Sequence, residues 1–317
     1  MRKDSNGDTE LESYERLSAR MALNLAAPHT WPASVLPALI GVCIASMAAP
    51  ISVTMAIAIL AIVVLMQSSV NTFNDYFDYV KGTDDEDADV DPEDSVLVYN
   101  RINPRNALFL AIGFLACAFL LGVYIIVNAG IAPLVIALIG AAFVVLYSAG
   151  RTPVSYLPIG ELVSGFVMGC LIPLGTVVSL TGVLDFSVLA LSIPTFIGVG
   201  LIMLTNNTCD IERDIDAGRH TFPVIVGRQN AVATYRLAVI VWVIAIIAIV
   251  AIAFQSGLIV MPFMVLAVFP LAKAAFANTF APERRTQAMP QTLTLYIVLG
   301  AFYAAAILAN SLPIFIA

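Results

Sequence analysis

Nine apolar stretches, each close to the length of a bilayer crossing, leave this chain few folds to choose from. They fall near 33–49, 52–74, 106–127, 131–149, 159–180, 187–206, 231–254, 257–277 and 292–313. A helix needs roughly 20 mostly apolar residues to cross the hydrocarbon core. In lipid every backbone N–H and C=O must be satisfied internally, which a helix achieves and irregular chain does not. Pro50, Gly130, Pro153, Gly182 and Gly257 mark joints between stretches. Pro173, Pro194 and Pro270 lie inside them and are expected to kink their helices rather than end them. With 60% of its 317 residues hydrophobic and only 12% charged, the chain cannot cover a water-facing surface. The expected fold is therefore all-α and integral to the membrane, a bundle of nine transmembrane helices.

The charges set the orientation. With nine spans, one face carries the N-terminus and the loops near 75–105, 150–158, 207–230 and 278–291, and all 15 Lys and Arg residues fall on that face or in the helix turn beside it. Asp185 is the single acidic residue expected on the other face. The positive-inside rule makes the charged face cytoplasmic, so the expected topology is N-in and C-out, in the cell membrane. Residues 1–24 read as a polar cytoplasmic arm without the apolar core of a signal peptide, and 25–317 as one transmembrane domain. A net charge of −7 without a basic stripe excludes a nucleic-acid partner. Cys43, Cys117, Cys170 and Cys209 are too scattered for a disulfide framework or a zinc site, and read as small hydrophobes.

Two loops on the charged face, 75–105 and 207–230, are long and highly charged, where function tends to concentrate. Each follows an apolar helix that ends in asparagines and aspartates. In the first, Asn71, Asp75 and Asp78 stand at i, i+4 and i+7, with Asn74 beside them and Gly82 placed to turn Asp84 back. In the second, Asn206, Asp210 and Asp214 stand at i, i+4 and i+8, next to Asn207 and followed by Gly218. The two patterns lie 135–136 positions apart, a weak internal repeat. A solvated helix end explains one acidic pair well and two matched ones poorly, because carboxylates at a membrane boundary are costly without a partner.

Mg²⁺ is commonly held by one or two carboxylates plus substrate phosphates. Two facing carboxylate pairs thus suit a diphosphate whose C–O bond is to break. Lys81, Arg151 and Arg219 lie beside turns on the same face and offer donors to phosphate, or simply anchor the helices. Tyr147 and Tyr156 also lie near that face, where interfacial anchoring is one role open to them. Eight of the eleven residues from Asp84 to Asp94 are acidic, a run expected to be solvated.

From about Pro28 to Leu312 the chain resembles the UbiA-type superfamily of intramembrane aromatic prenyltransferases. The pattern N-D-x-x-D matches at Asn74, Asp75 and Asp78, D-x-x-x-D at Asp210 and Asp214, and a tyrosine four residues before a base at Tyr147 and Arg151. The branch it is most similar to acts on 1,4-dihydroxy-2-naphthoate. The similarity lies in Pro28-His-Thr30-Trp-Pro32-Ala-Ser34, in Asn74 through Gly82 to Asp84, in Tyr156 through Gly160-Glu161, and in Asn206-Asn207 through Ala217-Gly218-Arg219 to Thr221. The chain departs from that branch at Ala27 and Cys209, where a basic residue is usual, and in the acidic run in place of a glycine-rich stretch.

The resemblance implies a nine-helix prenyltransferase in which Asp75, Asp78, Asp210 and Asp214 bind Mg²⁺, with Asp84 a possible addition. Asn71, Asn74, Lys81, Tyr147, Arg151, Tyr156, Asn206, Asn207 and Arg219 would then meet a polyprenyl diphosphate and an aromatic acceptor. Hydroxybenzoate, homogentisate, haem and glycerol phosphate remain open as acceptors. A CDP-alcohol phosphotransferase is disfavoured, since its D-G-x-x-A-R signature is missing. So is a cation-coupled transporter, which would place ionisable groups near the bilayer midplane.

Overall fold

The computed structural model of the protein describes residues 14–82 and 96–311. These are helical throughout, and an isolated bridge between Glu15 and Ile102 is their single β-type pairing. A short helix α1 (Ala19–Ala26) is capped by Ser18, whose side chain accepts from the Met21 N–H. A 3₁₀ turn at Pro28–Thr30 then bends the chain by 58° into α2 (Pro32–Ala48). The long α3 (Val53–Lys81) ends on Gly82 at φ 72°, in the left-handed region that a glycine adopts without strain. After α4 (Val96–Tyr99), α5 (Pro104–Ala129) and α6 (Ala132–Leu146) complete the first half.

The second half starts with α7 (Gly160–Phe166), a π-turn at Val167–Leu171 and α8 (Ile172–Thr181), which together make one span. It continues with α9 (Ser187–Leu191), α10 (Ile193–Cys209), α11 (Ile211–Asp216) and α12 (Phe222–Val226). The chain ends with α13 (Arg228–Ala253), α14 (Met261–Ala277) and α15 (Arg285–Ser311).

Six segments are long and apolar enough to cross a membrane, and the bent pair through α1 and α2 makes a seventh. Two of the nine expected stretches come out shorter. Helix α6 has 15 residues and stops at Leu146, four residues before Gly150 turns the chain at φ 97°. The stretch at 187–206 divides at Ser192, because Pro194 in the first turn of α10 lacks the N–H that would continue α9. Pro173 likewise opens α8 directly after the π-turn, whereas Pro270 lies within α14 as expected.

Packing differs across the bundle. A continuous core joins α2, α8, α10, α13, α14 and α15 around the fully buried Trp242, Tyr235, Tyr296 and Tyr303. On its near side α7 and the π-turn meet α10 at almost backbone distance. A Cβ on Gly169 would lie 2.5 Å from the Phe196 backbone, and Thr195 donates to the Gly169 carbonyl at 2.6 Å. On the other side α3 lies along α5, and a cavity of ≈ 410 Å³ opens between α2, α3, α5, α6, α7, α8 and α10. Outward-facing residues such as Leu120, Val127, Ile252 and Leu266 are exposed and apolar, as lipid contact requires.

Candidate active site

The cavity is apolar for most of its length and polar at one end. Ile59, Val63, Phe119, Ile125, Ile136 and Leu171 line its depth, while Asn74, Asp75, Tyr147, Asn206, Asn207 and Arg219 gather at its head. That head is built from the ends of α3 and α10, the two helices carrying the aspartate patterns.

Along α3 the helix is unbroken, so Asn71, Asp75 and Asp78 share a face as their spacing predicts. Asp75 and Asp78 are both buried. Asn74 donates to Asp78 Oδ2 at 3.2 Å and accepts from Ser148 Oγ at 3.0 Å, which ties the first motif to the turn after α6. Asn71 points towards the N-terminal turn instead. Its amide donates to the Ala26 carbonyl at 3.0 Å and to Thr30 Oγ1 at 2.8 Å, and its oxygen accepts from Gln67 at 3.2 Å.

At the second motif the helix axis breaks at Asp210, between α10 and α11. Backbone bonds on either side, Asp210 N–H to Asn206 at 3.1 Å and Asp214 N–H to Asp210 at 2.8 Å, keep the four-residue phase across the break. Asp214 is buried and accepts from Thr221 Oγ1 at 2.9 Å. Burial pushes its carboxyl up to about 6, against the opposing pull of Arg219 and Thr221. Asn207 donates to Glu161 Oε1 at 2.8 Å, and Glu161 is itself buried at the start of α7.

Arg219 joins the two motifs. Its guanidinium bonds Asp78 Oδ1 at 2.7 Å and lies 3.7 Å from Asp214 Oδ1. The Tyr156 ring is flanked by this guanidinium at 5.0 Å and by the Lys81 ammonium at 4.9 Å, while Lys81 also donates to the Ser148 carbonyl at 2.7 Å. Tyr147 lines the cavity with its hydroxyl 3.9 Å from the Met203 sulfur. Arg151 is exposed and outside the cavity lining. Asp84 and the acidic run to Asp94 lie outside the described residues.

One participant escaped the sequence reading. Arg285, the first residue of α15, places Nε 3.0 Å from Asp210 Oδ1 and donates from Nη2 to Asn206 Oδ1 at 2.8 Å. In the sequence it is one of several cations on the charged face, with no spacing that links it to position 210. Glu161 was visible within a motif but carried no assigned role.

Among the described residues no three acidic, histidine or cysteine side chains converge into a complete cage. Asp75 lines the cavity head and Asp78 and Asp214 contact Arg219 there, a carboxylate set that suits a hard cation completed by phosphate oxygens.

The UbiA prenyltransferase family profile matches residues 34–298, most of the chain. The protein belongs to the UbiA prenyltransferase family. It is accordingly a prenyltransferase and a multi-pass membrane protein. The chain is 32% identical over 251 residues to the 1,4-dihydroxy-2-naphthoate octaprenyltransferase of Bacillus subtilis, covering 78% of this chain and 80% of that relative. It is 31% identical over 215 residues to the enzyme of the same name from Mycobacterium tuberculosis, covering 67% and 71%. Among solved structures, a UbiA homolog from Archaeoglobus fulgidus superposes with a TM-score of 0.67 at 17% identity, covering 92% of this chain and all (100%) of that one. The same homolog bound to GPP and Mg²⁺ superposes with a TM-score of 0.64 at 18% identity over 92% and 100% of the two chains. At these identities the UbiA structures establish the fold.

Proposed function

We propose that this UbiA-family protein transfers a polyprenyl group from its diphosphate to 1,4-dihydroxy-2-naphthoate, with loss of CO₂, as a step of menaquinone synthesis. The observation that carries this reading is the cavity, apolar in depth and headed by Asp75 and Arg219, with Arg219 in turn reaching Asp78 of the first motif and Asp214 of the second. The relatives named as naphthoate octaprenyltransferases support the acceptor.

In this reading residues 25–317 form one domain of nine spans behind the arm 1–24, N-in and C-out, with the cavity head at the cytoplasmic face of the cell membrane. The shorter α6 and α10 would serve as the remaining spans. Asp75 and Asp78 on one side and Asp210 and Asp214 on the other hold Mg²⁺. The ion supplies charge neutralisation to the diphosphate as the allylic C–O bond breaks. Arg219 and Lys81 are in reach of the same oxygens. Arg151 would need the turn after α6 to move. The apolar wall holds the prenyl tail and keeps water from the cation, and the Tyr147 and Tyr156 rings stabilise its positive charge. The acceptor ring then forms the new C–C bond, its carboxylate leaves as CO₂, and diphosphate departs to the cytoplasm. Asn71, Asn74, Asn206 and Asn207 border the space and hold its shape through the bonds described above. Asp84 is an additional candidate ligand.

The test is prenyl transfer in detergent with a labelled polyprenyl diphosphate and 1,4-dihydroxy-2-naphthoate, with Mg²⁺ and then with EDTA. A decarboxylated product that needs Mg²⁺, and that Asp75→Ala and Asp210→Ala each reduce at least 100-fold, supports the whole reading. Transfer to a different ring would keep the chemistry and discard the acceptor. A folded preparation that uses no acceptor would sink the assignment.

A further inference from the structure

Both aspartate motifs already have carboxylates beside a guanidinium, Asp78 and Asp214 beside Arg219 and Asp210 beside Arg285. The second pairing has an unusual origin. Arg285 opens α15, where the helix macrodipole places partial positive charge and disfavours a cation. A basic residue held there works against its own helix, and it is held by the second cluster through an ion pair and a hydrogen bond. Nε lies 3.0 Å from Asp210 Oδ1 as an ion pair, and Nη2 donates to Asn206 Oδ1 at 2.8 Å. Side-chain exposures of 22% for Arg285 and 15% for Asp210 leave the pair screened from water yet open enough to separate.

We infer that Arg285 is a positioning residue that competes with the divalent cation for the Asp210 carboxylate, so that cation and diphosphate enter the site together rather than singly. The inference rests on the reading of Asp210 as a metal ligand. A hard cation approaches a carboxylate oxygen to about 2.1 Å. With the guanidinium 3.0 Å from that carboxylate, two positive centres would crowd one anion. The arginine must therefore withdraw for the cation to bind at full strength. Withdrawal is unfavourable until another anion receives the guanidinium, and a diphosphate beside Asp210 offers oxygens in forked geometry. Cation binding and diphosphate binding are then coupled, and the coupling is reciprocal by thermodynamic necessity. The device keeps the carboxylate neutralised before substrate arrives and discourages a lone cation from settling on it.

Mn²⁺ binding to the full chain in detergent, read by electron paramagnetic resonance with and without inorganic pyrophosphate, tests this directly. Arg285→Gln is expected to bind Mn²⁺ alone on the order of tenfold more tightly than the parent, about 1.4 kcal/mol. Pyrophosphate should then tighten Mn²⁺ binding less in the variant than in the parent. A merely structural arginine would give the opposite sign, since its loss would loosen the cluster. Arg236→Gln is the charge control. Arg236 is exposed and donates to the Phe276 carbonyl at 2.7 Å, so its removal should leave Mn²⁺ affinity unchanged. If Arg285→Gln does not fold, Arg285→Lys keeps the charge but not the two-pronged reach, and should shift affinity in the same direction by less. Equal or weaker Mn²⁺ binding by the Arg285 variants, with parent binding intact in pyrophosphate, would overturn the competition and spare the proposed function. Failure of the parent to bind Mn²⁺ even with pyrophosphate would overturn both.

Discussion

Replacing Arg219 by glutamine removes the charge that links the two motifs, and its cost can be worked from the geometry. The guanidinium lies 2.7 Å from Asp78 and 3.7 Å from Asp214, with side-chain exposures of 14%, 8% and 5%. At an effective dielectric of about 20, such pairs attract by roughly 6 and 4.5 kcal/mol before desolvation is subtracted. Breaking a buried pair by deleting one partner leaves a net loss of about 3–5 kcal/mol. The lower end applies here, since Arg219 lines the cavity and keeps some exposure. About 3 kcal/mol in a chain of this size lowers the melting temperature by roughly 5–10 °C.

The pH dependence has a definite sign. Burial has already pushed the Asp214 carboxyl up to about 6. A carboxyl raised in the folded state opposes folding above that pH and is relieved of the cost below it, when it carries a proton. Without Arg219 the carboxyl rises further, so the deficit of the variant should be largest near pH 8 and shrink towards pH 5. Thermal denaturation of parent and Arg219→Gln in detergent across that range measures both effects. A deficit that is absent, or equal at all pH values, would refute the electrostatic account.

Other consequences follow from single contacts. Gly169→Ala would drive a Cβ to 2.5 Å from the Phe196 backbone, and should destabilise by about 1–3 kcal/mol in a denaturation series. Asn71→Ala deletes the bonds from α3 to Ala26 and Thr30, costing about 1–3 kcal/mol, and should show as faster amide exchange over residues 19–30. Protons should compete with the cation at Asp214, so the Mg²⁺ concentration giving half-maximal transfer should rise as pH falls below about 6, approaching tenfold per unit.

Much of this arrangement is legible in the sequence. The apolar lengths located the helices, the glycine at position 82 marked the end of α3, and spacings of three and four residues put Asp75 with Asp78 and Asp210 with Asp214. What stayed hidden depended on distant parts of the chain meeting. Nothing local to Arg285 says that α15 starts beside Asp210. Asn71 reads as a ligand by its phase on α3, yet the turn at Ala26 and Thr30 takes up its amide. The interruption at Asp210 escapes the spacing too, although Asn206-Asn207-Thr208-Cys209-Asp210 is a run of weak helix formers, because the four-residue phase of the motif continues across it.

The uneven packing of the bundle has a consequence for how the protein can change. Its dense half, around Trp242 and Tyr296, tolerates little, since even a methyl group at Gly198 would strike both rings. The wall of the cavity is more permissive. A Cβ on Gly122 would meet nothing within 4 Å, and one on Gly140 would only brush the end of the Met66 side chain at 3.4 Å. Larger residues at these two positions would raise the cavity floor while leaving the aromatic column untouched. Under the proposed function, the length of tail accepted would thus be an adjustable setting, separable from the scaffold that keeps the chain folded.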